Sequence, residues 1–405
     1  MHVAVVSTFY PNTALPLRTL FVRNLVVALA QYTAVSVVAP LPYAPALPRK
    51  SKWQALRAVA RLEERDGLQI NHPRFVVVPK VEALNGLTFA AAILPILRSL
   101  QRTAPIDVVH AHCAYPDAVG VAIACASLGL PFVVTAHGSD VNVYARKPLI
   151  RIQLRWALRR AKAVIAVSAL LGQKLLEVVP EIAARLEHIA CAGVDPSIFY
   201  SMDRGAARRQ LTVSDASRMV MFVGQLVPIK RLDLLLAAWQ ALLRDGRLGR
   251  GDRLLLIGEG PLRASLERQA SAIDFRDTVR FLGGRPQVEV ARWLGAADVL
   301  CLTSDNEGTP NVIVEALASG RPVVATAVGG VPELVVPNVN GALVSPGDVL
   351  SLEAALAAAL TKKWDAAQIA ATVSGYTWQS LAQSNFALLA RVVAESDRVK
   401  HASDQ

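Results

Sequence analysis

The sequence predicts an α/β protein of two Rossmann-like domains, each a parallel sheet with helices on both faces. Three observations carry this. The chain has 405 residues, too many for one ordinary core and suited to two domains of roughly 200 residues each. Short apolar runs alternate with helix-length segments along almost its whole length, the pattern of buried parallel strands joined by crossover helices. The alternation stops once, in a polar, basic stretch from Pro196 to Ser217, and then restarts.

In the first half the expected strands are Val3–Ser7, Val35–Ala39, Val76–Val78, Asp107–Ala111, Phe132–Ala136, Ala163–Val167 and Leu186–Ala190. Helical patterns Thr19–Ala30, Ala118–Leu128, Leu149–Ala161 and Leu170–Val178 lie between many of them. The second half offers strands Met219–Val223, Arg253–Ile257, Val279–Leu282, Val299–Leu302 and Pro322–Thr326, separated by helices Leu232–Leu243, Leu262–Ala270, Val288–Leu294 and Asn311–Ala318. This divides the chain into residues 1–195, residues 196–375 and a C-terminal amphipathic helix within 376–405. Doubly wound sheets bind ligands at the carboxyl ends of their strands, so two facing domains predict a cleft between them.

Composition narrows the function classes. A hydrophobic share of 53% with 19% charged residues excludes a disordered chain or a coiled coil. The net charge of +11 is uneven: residues 1–195 carry 21 basic and 11 acidic side chains, residues 196–405 carry 22 and 21. Such asymmetry suggests an anionic partner for the first half. Cys113, Cys125, Cys191 and Cys301 form no CxxC pair, which points to a reducing cytoplasm rather than a disulfide framework or zinc site. No signal peptide is visible. The uncharged stretches Asn24–Pro48 and Ala118–Ser139 are each divided by turn residues, whereas a membrane-spanning helix needs about 20 unbroken apolar residues.

The densest chemistry runs from Ser304 to Leu317. A strand ends near Leu302, a loop carries Glu307-Gly308-Thr309, and Pro310 sits where the first turn of a helix accepts it. The free N–H groups of that turn, beginning at Asn311, favour an anion such as phosphate. Glu315 is an acid within a run of Val, Ala and Leu, and vicinal ribose hydroxyls would supply the donors a buried carboxylate needs. These residues alone leave open that Glu315 caps a neighbouring loop and that Glu307 is a solvated loop acid.

Two glutamates separated by seven residues, followed by Ala-Leu-Ala-Ser-Gly-Arg-Pro-Val-Val-Ala-Thr, resemble the signature of the retaining family 4 glycosyltransferases of the GT-B fold. Phe222-Val223-Gly224-Gln225-Leu226 with Lys230, Leu256-Ile257-Gly258-Glu259-Gly260-Pro261-Leu262, Val279-Arg280-Phe281-Leu282-Gly283 and Gly329-Gly330-Val331-Pro332-Glu333 follow in the family's order. So do Val109-His110-Ala111-His112, Tyr115-Pro116-Asp117, Thr135-Ala136-His137-Gly138-Ser139-Asp140, Val167-Ser168 and Gly193-Val194-Asp195. The resemblance covers nearly the whole chain and is specific to family, much less to substrate. Its loop Phe9 to Pro16, with Tyr10 and Asn12, is similar to that of transferases for teichuronic acid and other cell-surface polysaccharides.

The resemblance implies a nucleotide-sugar donor in the second domain. Glu315 would hold the ribose hydroxyls and Glu307 the transferred sugar; Arg280, Phe281 and Leu282 with Glu259-Gly260 would line the base pocket. Lys230 would neutralise the leaving diphosphate, the kind of charge stabilisation that dominates such sites. Where relatives place an arginine five residues before this lysine, the chain has Gln225, with Arg231 as a compensating cation. His137, followed by Gly138, would lie beside the reacting sugar, and Asp140 would orient it or bind an acceptor hydroxyl. Tyr10, Asn12, His112, Tyr115 and Asp117 complete the expected acceptor side. The family implies transfer with retention, no cofactor and no metal, and a C-terminal helix that crosses back onto the first domain, with closure hinging near residues 192–200 and 374–378.

Basic stretches add a candidate partner. Arg49, Lys50, Lys52, Arg57 and Arg61 surround Trp53, Leu56 and Val59; Arg151, Arg155 and Arg159 recur every four residues; Ala83–Leu97 adds an apolar run around Pro95. Together they suit an anionic membrane surface and an acceptor carried on a lipid diphosphate, on the cytoplasmic face. A solvated basic face beside an ordinary core helix fits them as well. No stacking platform or helix-turn-helix accompanies the charge, which argues against nucleic acid. Two other readings compete with transfer: a nucleotide-sugar 2-epimerase of the same architecture, and a non-catalytic sugar-nucleotide-binding protein, for which Gln225 is the support.

Overall fold

The structure, a computed structural model, describes residues 1–16, 19–43, 51–77, 81–272 and 276–403. The chain forms two compact units: Met1–Cys191 with Trp378–Gln405, and Ala192–Thr377. The boundary thus lies before Ala192, four residues earlier than expected, and Tyr376 and Thr377 join the second unit. Val194 accounts for both shifts: its N–H donates to the Tyr376 carbonyl at 2.9 Å, and it bridges Thr377 in parallel.

The first unit holds β1 (His2–Val6), β2 (Ala34–Val38), β3 (Leu41–Tyr43), β4 (Leu62–Arg65), β5 (Leu68–Asn71), β6 (Arg74–Val76), β7 (Val108–His112), β8 (Phe132–Ala136), β9 (Ala163–Ala166) and β10 (Leu186–His188). Its main sheet runs β10-β9-β8-β7-β1-β2-β5-β4. All pairings are parallel except β4 with β5. The reversal from sequential order falls between β1 and β7, strands buried almost end to end as continuous Val, Ala and His runs. β3 and β6 form a separate parallel pair.

Helix Val119–Leu128 accounts for one uncharged stretch: it is packed inside, so its apolarity is core rather than membrane. Helix Asn85–Thr103 buries Phe89, Ile93 and Leu97 despite Pro95. Among the described residues, the segment Glu82–Thr103 is the one long and apolar enough to span a bilayer by length and composition. The last helix, Trp378–Ser403, packs on helix Leu20–Leu29, with Tyr32 stacked on Phe386 at 5.8 Å.

The second unit is fully parallel, with β11 (Met219–Val223), β12 (Arg253–Ile257), β13 (Val279–Gly283), β14 (Val299–Leu302), β15 (Val323–Thr326) and β16 (Gly341–Val344) in the order β13-β12-β11-β14-β15-β16. This is the doubly wound order whose reversal, here between β11 and β14, opens a ligand crevice at the strands' carboxyl ends.

Four strands escape the sequence reading, and β6 lies two residues earlier than expected; Val78, Arg49 and Lys50 lie outside the described residues, as do the side chains of Lys52 and Trp53. The hairpin β4–β5 closes through Asp66-Gly67, both in left-handed backbone conformation. That dipeptide is the standard two-residue turn and was the available signal.

Candidate active site

In the second unit the loops leaving β11 and β14 meet at the sheet's reversal. Thr303 follows β14 and donates its hydroxyl to the carbonyls of Lys230 (2.8 Å) and Arg231 (3.0 Å), while the Asp305 N–H donates to the Ile229 carbonyl (2.8 Å). These bonds bring together side chains 77 positions apart. Lys230 Nζ lies 2.5 Å from Glu307 Oε1, and Ser304 Oγ donates to the same oxygen at 2.6 Å. Both partners are largely shielded, with side-chain exposures of 19% and 11%. Glycine makes the surrounding approach feasible. A Cβ on Gly258 would lie 1.8 Å from the Gly224 carbonyl oxygen, and one on Gly329 (φ +56°) would lie 1.9 Å from that of Glu307.

Helix Asn311–Ala318 starts after Pro310, with Gly308 and Thr309 half-buried in the loop before it. Gly308 accepts from the Gly330 N–H at 2.7 Å. Glu315 is 9% exposed, and burial raises its carboxyl to about 7, opposed by a hydrogen bond from Gln287. Asn311 Oδ1 is buried without a partner at the first helical turn. Glu259 is exposed and holds Arg263 at 2.6 Å; Gly260 abuts the Leu226 backbone. On β13, Arg280 is exposed and Phe281 and Leu282 are half-buried. Gln225 is exposed beside the half-buried Gly224. Arg231 is not a spare cation: it sits at left-handed φ +47° and is paired with Asp233 (3.0 Å) and Asp305 (3.3 Å).

The first unit uses its own reversal differently. His110 and His112 on β7 and His137 after β8 form a stacked row, with centroids 4.2 Å apart for the first pair and 5.5 Å for the second. His110 Nε2 lies 2.8 Å from Thr135 Oγ1, and His112 Nδ1 lies 3.4 Å from His137 Nε2. Phe9 and Phe21 pack on His137. Burial lowers His110 to about 3, His137 to about 4 and His112 well below its ordinary value, so the row is neutral at physiological pH.

The expected acceptor-side acids are both buried anchors. Asp140 accepts from the N–H groups of Ala114 (2.6 Å), Gly138 (2.7 Å) and His137 (3.1 Å). Asp117 accepts from the Thr8 N–H (2.7 Å) and hydroxyl (3.0 Å). They fix backbone at strand ends instead of presenting charge. Tyr10 and Asn12 are buried too, each with one polar atom (the Tyr10 hydroxyl, Asn12 Nδ2) lacking a partner, and Asn12 Oδ1 closes its own turn onto Ala14 and Leu15. The Tyr115 hydroxyl donates to the Glu82 carbonyl; burial raises it to about 12.

Tyr115 also lines a cavity of about 260 Å³ with Thr8, Phe9, Phe75, Asn85 and Tyr144. Thr8, Ser304, Asn85 and Tyr144 were not among the expected site residues. The first two each lie two residues past a strand end, a position that could have marked them. Among the described residues, no group of three or more His, Cys, Asp or Glu is arranged to hold a metal ion.

Comparison with known proteins gives this geometry a family. Residues 19–198 match the model of Glycosyltransferase Family 4, and residues 217–362 match that of Glycosyl transferases group 1. A protein of Bacillus subtilis assigned to teichuronic acid biosynthesis, the glycosyltransferase TuaC, is 28% identical over 82% of this chain and 83% of its own length. D-inositol 3-phosphate glycosyltransferase of Kribbella flavida is 30% identical over 74% of each. N-acetyl-alpha-D-glucosaminyl L-malate synthase of Bacillus anthracis is 26% identical over 60% of this chain and 62% of its own.

Among solved structures, sucrose-phosphate synthase from Thermosynechococcus elongatus superimposes with a TM-score of 0.75 at 20% identity, covering 98% of this chain and all of the other. HepE from Anabaena, solved with UDP-glucose, gives 0.65 at 21% identity over 99% of this chain and all of the other. These matches span both units, and the chain is a group 1, family 4 glycosyltransferase with the GT-B fold.

Proposed function

We propose that the enzyme transfers a hexosyl group from a nucleotide-sugar to a lipid-linked glycan acceptor in surface polysaccharide assembly, with retention of anomeric configuration and without a metal. The observation that carries this is the Lys230–Glu307 pair at the reversal of the second sheet. An ammonium there suits a departing diphosphate, whose charge grows in the transition state. The neighbouring carboxylate suits a hydroxyl of the transferred sugar. In the free enzyme the two neutralise one another, and a bound diphosphate competes with Glu307 for Lys230. Glu315, held half-protonated near neutrality by burial, gains donors from the ribose, and β13 lines the base. The HepE complex with UDP-glucose supports trying UDP-sugars first; the likeness to TuaC, named for teichuronic acid biosynthesis, supports a polysaccharide product, and the proposed site of action is the cytoplasmic face of the membrane.

In the reaction the bond from the anomeric carbon to the diphosphate oxygen breaks. The acceptor oxygen bonds to the same face, and its proton passes to the leaving phosphate. No enzyme carboxylate forms a covalent intermediate; positioning supplies the rate. His137, neutral and wedged between His112 and two phenylalanines, serves as an uncharged hydrogen-bonding wall for the sugar. Proton NMR of the first product formed from an α-linked UDP-sugar tests the reading: an α-glycoside supports it, and a β-glycoside or activity abolished by EDTA refutes it.

A further inference from the structure

We infer that the first unit carries a docking surface for an anionic bilayer, formed by helix Pro148–Leu158, the turn before it and the segment Val81–Leu87. This rests on the reading that the acceptor is lipid-linked and names the surface that would meet the lipid.

Six large apolar side chains are exposed in this one region: Val81, Leu84, Leu87, Val143, Leu149 and Ile152. Leu149 and Ile152 are the most open of them, at 66% and 65%. They are spaced i, i+3 and so share a helical face, to which half-buried Trp156 adds the next position. Two contacts tie the segments into one patch: Lys147 pairs with Glu82, and Gln153 Nε2 donates to the Ala83 carbonyl at 2.8 Å.

The charge around the patch is of one sign. Residues 143–160 hold six cations and no acid. Arg146, Arg151, Arg155, Arg159 and Arg160 are all exposed, and Arg160 lies over the Trp156 ring at 4.4 Å. The acids bonded to this stretch are Glu82, on Lys147, and Glu181, shared by Arg155 (3.2 Å) and Arg159 (3.7 Å). Six cations against two acids leave a positive excess. Aliphatic side chains standing among arginines match what an acidic lipid surface accepts: shallow insertion of the apolar groups, with headgroups neutralising the cations.

Position links the patch to chemistry. Asn85 and Tyr144, which line the 260 Å³ cavity, directly follow Leu84 and Val143 of the patch. Asn85 also has a buried side-chain oxygen without a partner. A head group held at the bilayer would thus meet the cavity wall beside the docked surface.

Co-sedimentation with vesicles tests this, comparing phosphatidylglycerol–phosphatidylcholine mixtures with phosphatidylcholine alone. The full-length protein should bind the anionic vesicles, lose binding as salt rises, and ignore the neutral ones. The double variant Leu149→Glu/Ile152→Glu should bind at least about tenfold more weakly, and Arg151→Gln about fivefold more weakly. Leu350→Glu, on an exposed side chain of the second unit, should bind as the parent does. Because Arg151→Gln alters one exposed side chain, it serves even if the double variant misfolds.

The proposal is overturned if the parent stays in the supernatant with anionic vesicles at low salt, or if Leu149→Glu/Ile152→Glu or Arg151→Gln binds undiminished. It is also overturned if light scattering shows that the patch variants abolish a dimer instead, which would make a second copy the occupant. Transfer to a soluble acceptor is measured in parallel. Its failure beside intact vesicle binding would refute the proposed reaction and leave the surface standing; normal transfer by protein that ignores vesicles would do the reverse.

Discussion

In both units the candidate residues gather where the sheet order reverses, after β1, β7 and the adjoining β8 in the first and after β11 and β14 in the second. The first unit packs that place with three neutral imidazoles, two aromatic rings and two carboxylates tied to backbone. The second leaves an ammonium and a carboxylate facing one another, with a half-titrated acid in the helix beyond. Net charge runs the other way. The first unit carries 24 basic and 13 acidic side chains and the second 19 of each, so the whole excess of +11 belongs to the unit with the neutral imidazoles. Reactive charge and surface charge are thus held apart. The Lys230–Glu307 ion pair stands in the unit whose charges balance, and the positive excess lies on the other unit.

The contrast is sharpest against pH. Histidines held below their ordinary value give the first unit stability that is full above about pH 6.5 and is lost as pH falls toward the folded values of about 4 for His137 and about 3 for His110. The loss should be on the order of 5 kcal/mol across that window. Hydrogen exchange should therefore find β7 and β8 opening well before β11 and β14 at pH 5. Equal opening of both sheets at pH 5 would show that the buried histidines do not weaken the first unit in acid.

Lys230→Ala should lower kcat by about 10²–10³, or about 3–4 kcal/mol of barrier, because the leaving group loses its cation. Removing His137 should cost less, since a neutral side chain neutralises nothing. Steady-state kinetics on the two variants would reverse the assignment of roles if the order were inverted.

Glu315 has the opposite pH sign to the histidines. Its folded value of about 7 lies above the ordinary carboxyl range, so stability of the second unit falls as pH rises from about 4.5 through 7. The total is at most about 3 kcal/mol. Glu315→Gln should flatten this decline in a series of melts while weakening donor-induced stabilisation; an unchanged slope would remove Glu315 as its source.

Gln225→Arg should have the smallest effect, about 1 kcal/mol or roughly fivefold in donor affinity, because position 225 is exposed and screened. A much larger gain would show that the native second site lacks a cation it needs.

Legibility in the sequence followed the same division. Strands β1, β8, β11, β12 and β14 are almost wholly apolar, each with at most one polar or charged residue, so burial on both faces is written into their composition. β4 is Leu-Glu-Glu-Arg, an edge strand with three charged residues of four that looks like loop, and β16 is four residues beginning with a glycine. Glu307 and Lys230 were recognisable one at a time, but their pairing depends on β11 and β14 being neighbours, which no local pattern records. On the acceptor side the backbone bonds of Asp117 and Asp140 join residues far apart in sequence, to Thr8 and Ala114, and no local pattern records them. Arg231 read as spare until Asp233 and Asp305 took it.

The excursion of the chain through the second unit has a consequence for biosynthesis. The second unit is one continuous segment, whereas the first is completed by helix Trp378–Ser403, made some 190 residues after its last strand. On the ribosome the order of completion is therefore inverted relative to the order of translation. The second unit can close while helix Leu20–Leu29 still waits for the helix that packs on it, and the nascent first unit carries that uncovered face and Tyr32 in the interval.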